Sequence, residues 1–138
     1  MYKVMKIIML VGPHDCGKTT VINLVYNELV PSGREDKIVV PKSQLGSDPR
    51  DFECILKHEG KKIAIYSMGD YFNLVFKKAY NGAIPRYKEK GCNILVCACN
   101  TDFKSLNRYL ENNKNIIRID KTKGSSDEEC KKDIISHI

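Results

Sequence analysis

Apolar and polar positions alternate along this chain in two periods. Residues 4–11 are apolar apart from Lys6 and rich in aliphatic and β-branched side chains, which predicts a strand buried on both faces. Residues 18–30 carry Ile22, Val25 and Leu29 at helical spacing, and Pro31-Ser32-Gly33 stops that helix. A short strand is expected at 38–40, before Pro41. Residues 41–50, with Gly46, Ser47, Asp48 and Pro49, read as loop. Two strand-like runs, 52–56 (apolar apart from Glu53) and 63–66, flank the charged stretch Lys57 to Lys62 with its Gly60, a β-hairpin pattern.

Beyond the hairpin, Phe72, Val75, Phe76 and Ala79 share one helical face that Asn81-Gly82 ends, and a short helix interrupted near Pro85 is expected over 83–90. Residues 93–99 predict a second fully buried strand. Phe103, Leu106 and Leu110 mark a helix, and 116–119 a last strand. Ser126-Asp127-Glu128-Glu129 is a capping box opening a helix with Cys130, Ile134 and Ile138 in line. Strands alternating with helices predict an α/β fold. The expected form is a three-layer α/β/α sandwich around a mostly parallel sheet of five or six strands, with one antiparallel hairpin strand. With 138 residues the chain suits a single domain spanning 1–138.

Composition narrows the classes. No uncharged apolar run approaches the roughly 20 residues of a membrane span, so no membrane partner is expected. The N-terminal residues lack a cleavable leader pattern, and cysteines alternating inside apolar strands (Cys97, Cys99, with Cys54 in another) read as small buried hydrophobes of a reducing compartment. A cytoplasmic location is the expectation. A formal charge of +6 allows nucleic acid, acidic lipid or phosphate ligands. The lysines are spread in pairs without interleaved aromatics, which argues against nucleic acid.

The most specific chemistry lies in Gly12-Pro13-His14-Asp15-Cys16-Gly17-Lys18-Thr19, which fits G-x-x-x-x-G-K-[ST] between a predicted strand and a predicted helix. Glycines let the backbone turn its N–H groups inward as an anion nest, and the following helix adds its positive end. Lys18 is placed to reach β- and γ-phosphates, and the Thr19 hydroxyl to ligate Mg²⁺. The chain therefore resembles the P-loop NTPase superfamily, most strongly over residues 4–30. That resemblance implies a nucleoside triphosphate, ATP or GTP, held by Gly12, Pro13, His14, Asp15, Cys16, Gly17, Lys18, Thr19 and Thr20, with Mg²⁺ as cofactor. Asp15 is unusual beside a polyanion and is expected to point outward or cap an amide; His14 reads as a solvated loop residue and Cys16 as an inert filler.

The superfamily also needs a carboxylate near the end of a neighbouring strand. Candidates follow two strands: Ser67-Met68-Gly69-Asp70 and Asn100-Thr101-Asp102. The element order looks like the Ras-like GTPase layout, whose D-x-x-G turn would fall on Tyr66-Ser67-Met68-Gly69, with serine in the second position and no aspartate. Asp70 is the expected metal and catalytic carboxylate, or the N-cap of the next helix, or both. The guanine motif N-K-x-D would fall on Asn100-Thr101-Asp102-Phe103, where the lysine is missing, and Lys121-Thr122-Lys123 replaces the small-residue base loop. ATP is therefore favoured over GTP.

Four readings follow. The first is a slow Mg²⁺-dependent NTPase, with Lys18 and Asp70 in catalytic roles. The second is a small-molecule or nucleotide kinase, with Asp70 or Asp102 as base and Arg86, Lys88, Lys90 or Arg108 as a short basic lid. The third is a nucleotide-gated interaction module, which would take a protein partner and use the loop from Lys42 to Arg50 as a switch. Nucleic-acid binding ranks last.

Overall fold

The computed structural model describes residues 4–68, 83–102, 104, 106–122 and 124–138. The elements are β1 (Lys6–Gly12), α1 (Lys18–Leu29), a single 3-10 turn (Glu35–Lys37), β2 (Ile38–Gln44), β3 (Phe52–His58) and β4 (Lys61–Tyr66). Then come α2 (Ala83–Glu89), β5 (Ile94–Asn100), α3 (Leu106–Asn112), β6 (Ile116–Asp120) and α4 (Asp127–Ser136). The helix predicted on Phe72, Val75, Phe76 and Ala79 lies outside the described residues, as do Asn81, Gly82 and Phe103.

One six-stranded sheet runs in the order β2-β3-β4-β5-β1-β6. Strands β4, β5, β1 and β6 pair in parallel, while β3 is antiparallel to both β4 and β2. The fold is thus α/β with a mixed, mostly parallel sheet, and β3 alone opposes the rest. Successive side chains of a strand point to opposite faces, so β1 splits its apolar run between two cores. Ile8 and Leu10 join Val21, Ile22, Val25 and Leu29 of α1 with Cys130 and Ile134 of α4. Ile7, Met9 and Val11 join Leu95, Cys97 and Cys99 of β5 with Ala83 and Tyr87 of α2 and Leu106 of α3. Each large aliphatic buried this way stabilises the fold by about 1.5–3 kcal/mol, and the two clusters hold β1 from both sides. The residue that ends β1, Gly12, is therefore set on a rigid base.

Two local features depart from the sequence expectations. Strand β2 continues through Pro41 to Gln44, where loop was expected from residue 41. It is an edge strand, so a proline without an N–H breaks no ladder bond on its open side, and register shifts around Val40 and Ser43 absorb the irregularity. Helix α2 runs through Pro85 without interruption. The hairpin is as expected: His58 pairs with Lys61, and Glu59 and Gly60 turn with φ of +50° and +77°, the positive values that suit a right-twisted two-residue turn. Ser126 caps α4, its Oγ accepting from the Glu129 N–H at 3.3 Å.

All six cysteines are free and buried. Burial pushes the thiols of Cys54 and Cys99 up to about 12 and raises that of Cys97 as well. No described helix is long and apolar enough to cross a membrane.

Candidate phosphate-binding site

The loop after β1 is pinned by both neighbouring strands. The Thr101 N–H donates to the Gly12 carbonyl at 3.0 Å and the Lys121 N–H to the Val11 carbonyl at 2.7 Å. Packing is so close here that a Cβ on Gly12 would sit 2.5 Å from the Lys121 carbonyl oxygen and 2.5 Å from Cys16 Sγ. The loop then turns through left-handed backbone at Asp15 (φ +59°) and Gly17 (φ +97°). Gly17 precedes α1 with no side chain capping the helix and no acidic residue in its first turn. Uncapped N–H groups at a helix start, with the dipole behind them, favour an anion.

Lys18 is 7% exposed, and its Nζ donates to the carbonyls of Gly12 at 3.0 Å and Pro13 at 2.8 Å. The ammonium thus lies curled over its own loop. Next to it, Thr19 Oγ1 donates to Asp51 Oδ1 at 3.0 Å. The same carboxylate oxygen accepts from Ser67 Oγ at 3.0 Å, and Ser67 Oγ in turn accepts the Phe52 N–H at 2.9 Å. Three elements converge on one carboxylate: α1 through Thr19, the entry to β3 through Asp51 itself, and the exit of β4 through Ser67.

Asp51 was not among the residues expected from sequence, yet hairpin arithmetic places it. With His58 opposite Lys61 and Glu53 opposite Tyr66, Phe52 falls beside Ser67, and the two exchange backbone and hydroxyl bonds. Asp51 is then one residue from Ser67 by construction. Its role as a loop residue in Asp48-Pro49-Arg50-Asp51 hid that from periodicity.

These groups line a cleft of about 250 Å³. Residues 14–20 of the predicted loop all border it; Gly12 and Pro13 supply carbonyls to Lys18 instead. Asp15 stands largely in solvent beside His14, with 3.5 Å between its Oδ2 and His14 Nε2, in keeping with its outward placement. The far wall is the segment after β2, where Asp48, Arg50 and Asp51 border the cleft. That segment is tied down: Leu45 N–H to the Asp51 carbonyl at 2.9 Å, and Asn23 Nδ2 to the Arg50 carbonyl at 3.1 Å. Asn100, at the end of β5, closes the floor, because β5 sits directly beside β1 with Asn100 opposite Gly12.

Other sequence candidates fare differently. Asp70, the expected metal and catalytic carboxylate, lies outside the described residues. Asp102 is exposed and does not border the cleft. Arg86 makes a two-pronged pair with Glu53 (3.0 and 3.2 Å) on β3, so it is engaged away from the loop, and Arg108 is exposed on α3. Lys121 is 2% exposed, and its Nζ is spent on the Thr122 and Ser125 carbonyls and on Asp127 at 3.1 Å. That lysine ties the β6–α4 connection against Gly17 rather than facing a ligand.

The oxygens of Thr19 and Asp51 fit Mg²⁺ chemically, hard donors of which one is anionic, and the buried Ser67 hydroxyl orients the carboxylate. Among the described residues no group of three or more His, Cys, Asp or Glu side chains could hold a metal by itself. One carboxylate and one hydroxyl suit an ion that would arrive already held by its ligand. No protein-family model, no curated protein and no solved structure matches this chain.

Proposed function

We propose that the chain is a P-loop nucleoside-triphosphate-binding protein of three-layer α/β/α type and a slow Mg²⁺-dependent NTPase, with ATP favoured over GTP. The observation that carries this reading is the junction of Thr19, Asp51 and Ser67 (two contacts of 3.0 Å) beside the Lys18-bearing loop. A chance glycine turn between strand and helix has no need of a buried carboxylate aimed at the residue after its lysine.

On this reading the loop N–H groups and the start of α1 receive the phosphates, and Lys18 leaves the Gly12 and Pro13 carbonyls to take phosphate oxygens. Asp51 holds the Thr19 hydroxyl with its proton turned inward, which leaves the oxygen's lone pairs for the cation. Thr19 and Asp51 are the residues that would hold Mg²⁺, with Ser67 orienting the Asp51 carboxylate; the ion when bound would neutralise charge on the phosphates. Water attack then breaks the bond from the γ-phosphorus to its bridging oxygen, giving the nucleoside diphosphate and inorganic phosphate, while Lys18 and the loop amides stabilise the developing charge.

A second reading, the nucleotide-gated module, draws support from the segment between β2 and β3. It carries Asp51 and Arg50 together on one wall of the cleft, so a ligand contacting either would bear directly on that segment. The kinase reading has less behind it, since Arg86 is engaged with Glu53 and Arg108 is exposed. Phosphate release from ATP or GTP with Mg²⁺ and no added acceptor tests the NTPase reading. Release by wild type and its loss in both Asp51→Asn and Lys18→Ala is expected. Binding without release would favour the gated module, and transfer only to an added hydroxyl compound would favour a kinase. Comparing Asp51→Asn with Asp70→Asn assigns the carboxylate role between them.

A further inference from the structure

Two permanent cations, Lys18 and Arg50, border the cleft together with the carboxylates of Asp48 and Asp51, while Asp15 at its edge stands largely in solvent. Both cations are already engaged: Lys18 on loop carbonyls, and Arg50 on Asp48, through Nη2 to Oδ2 at 3.0 Å and Nε to Oδ1 at 3.3 Å. A polyanion entering the cleft reaches either cation only by displacing these partners.

The Arg50 pair is built for such an exchange. The backbone around it is fixed, by Asn23 on the Arg50 carbonyl and by the Asp51 N–H on the Asp48 carbonyl at 3.1 Å. Its guanidinium is exposed, with side-chain exposures of 67% for Arg50 and 38% for Asp48. An ion pair this open to water contributes little and costs little to break. Asp48 also stays satisfied when Arg50 leaves, because its Oδ1 accepts the Arg50 backbone N–H at 2.9 Å. Arg50 adjoins Asp51, and both border the same cleft as Lys18 and Thr19.

We infer that Arg50 reads the terminal phosphate of the bound triphosphate, exchanging Asp48 for it, and that Asp48 is the internal competitor that sets the affinity. This inference rests on the triphosphate reading above. It distinguishes itself from a structural role for the pair by sign. If the pair merely stiffens the loop, removing either partner weakens ligand binding alike. If Asp48 competes, its removal strengthens binding.

The test is calorimetric titration of Mg²⁺ with ATP, with a non-hydrolysable ATP analogue and with ADP into the full chain, its Arg50→Ala and Asp48→Asn variants and the double variant. Circular dichroism melting verifies that each is folded. Arg50→Ala should weaken the triphosphates by about ten- to a hundred-fold, the range spanned by hydrogen bonds to charged groups, and ADP far less. Asp48→Asn, which keeps an oxygen for the Arg50 N–H, should tighten the triphosphates, and that gain should vanish in the double variant. Equal triphosphate binding by Arg50→Ala and wild type overturns the inference, as does parallel weakening by both single variants. Failure of the wild type to bind any of the three nucleotides removes the triphosphate reading itself, and this inference with it.

Discussion

Replacing Asp51 by alanine isolates the junction on which the site is built. Two hydroxyl donors, Thr19 Oγ1 and Ser67 Oγ, each lose an acceptor at 3.0 Å. Their situations differ. Ser67 is fully buried, and although its oxygen still takes the Phe52 N–H, its proton is left without a partner. A buried donor stranded in this way costs about 1–3 kcal/mol. Thr19 borders the cleft and can turn to water, so its loss is smaller, about 0.5–1 kcal/mol. Removing a largely buried carboxylate returns part of that through relief of desolvation. The balance is a destabilisation of about 2 kcal/mol, or a fall in Tm of about 8 °C for a chain of this size. Asp51→Asn keeps a neutral oxygen at the same place and should lose about half as much. Urea and thermal denaturation followed by circular dichroism measure both. The non-additivity of Asp51→Ala with Ser67→Ala should fall in the 0.5–3 kcal/mol range typical of residues sharing one network, as about 1 kcal/mol of coupling. An Asp51→Ala variant as stable as wild type, or one strictly additive with Ser67→Ala, would refute the proposed junction.

Other expectations follow from the same geometry. Gly12→Ala puts a Cβ 2.5 Å from the Lys121 carbonyl oxygen; backbone cannot step aside cheaply, so the variant should lose about 3 kcal/mol in urea denaturation. Gly17→Ala meets no tight contact but must keep φ near +97°, a smaller loss of about 1–2 kcal/mol. Alkaline pH should destabilise the chain. The Cys54 and Cys99 thiols, held up to about 12 by burial against 9.0 when unperturbed, stay protonated when folded while the unfolded chain ionises them. Their contribution is complete below pH 9 and is lost as pH rises toward 12. Melting at pH 7.5 and 10.5, with thiolate absorbance near 240 nm, checks this; a Tm that does not fall, or thiolate forming before unfolding, contradicts it.

Much of the scaffold was legible because strong periodicity meets strong punctuation. The run at residues 4–11, the stripe Ile22, Val25, Leu29 and the serine cap at Ser126 each specify an element by local physics, and each element appears within a residue or two of its expected bounds. Where the outcome depended on position in the sheet, local reading failed. Pro41 ends a strand by its own chemistry, but an edge strand tolerates it, and edge status is a property of the whole sheet. The insertion of β5 between β4 and β1 is likewise invisible to periodicity, and it is what brings Asn100 rather than the end of β4 beside Gly12. The turn between β1 and α1 was readable as a local pattern, because its two glycines and its lysine fall within eight consecutive residues. Asp51 was not, because it reaches Thr19 across 32 residues of chain and only the hairpin register, counted back from Glu59-Gly60, discloses its proximity to Ser67.

The central claim is that this cleft takes a nucleoside triphosphate through Lys18. Native mass spectrometry or calorimetry of the wild type and Lys18→Ala with ATP, GTP and their diphosphates, each with Mg²⁺, tests it most directly. One nucleotide per chain on the wild type, strongest for a triphosphate and abolished in the folded Lys18→Ala variant, is the predicted result. Equal binding by both proteins, or by neither, would contradict it.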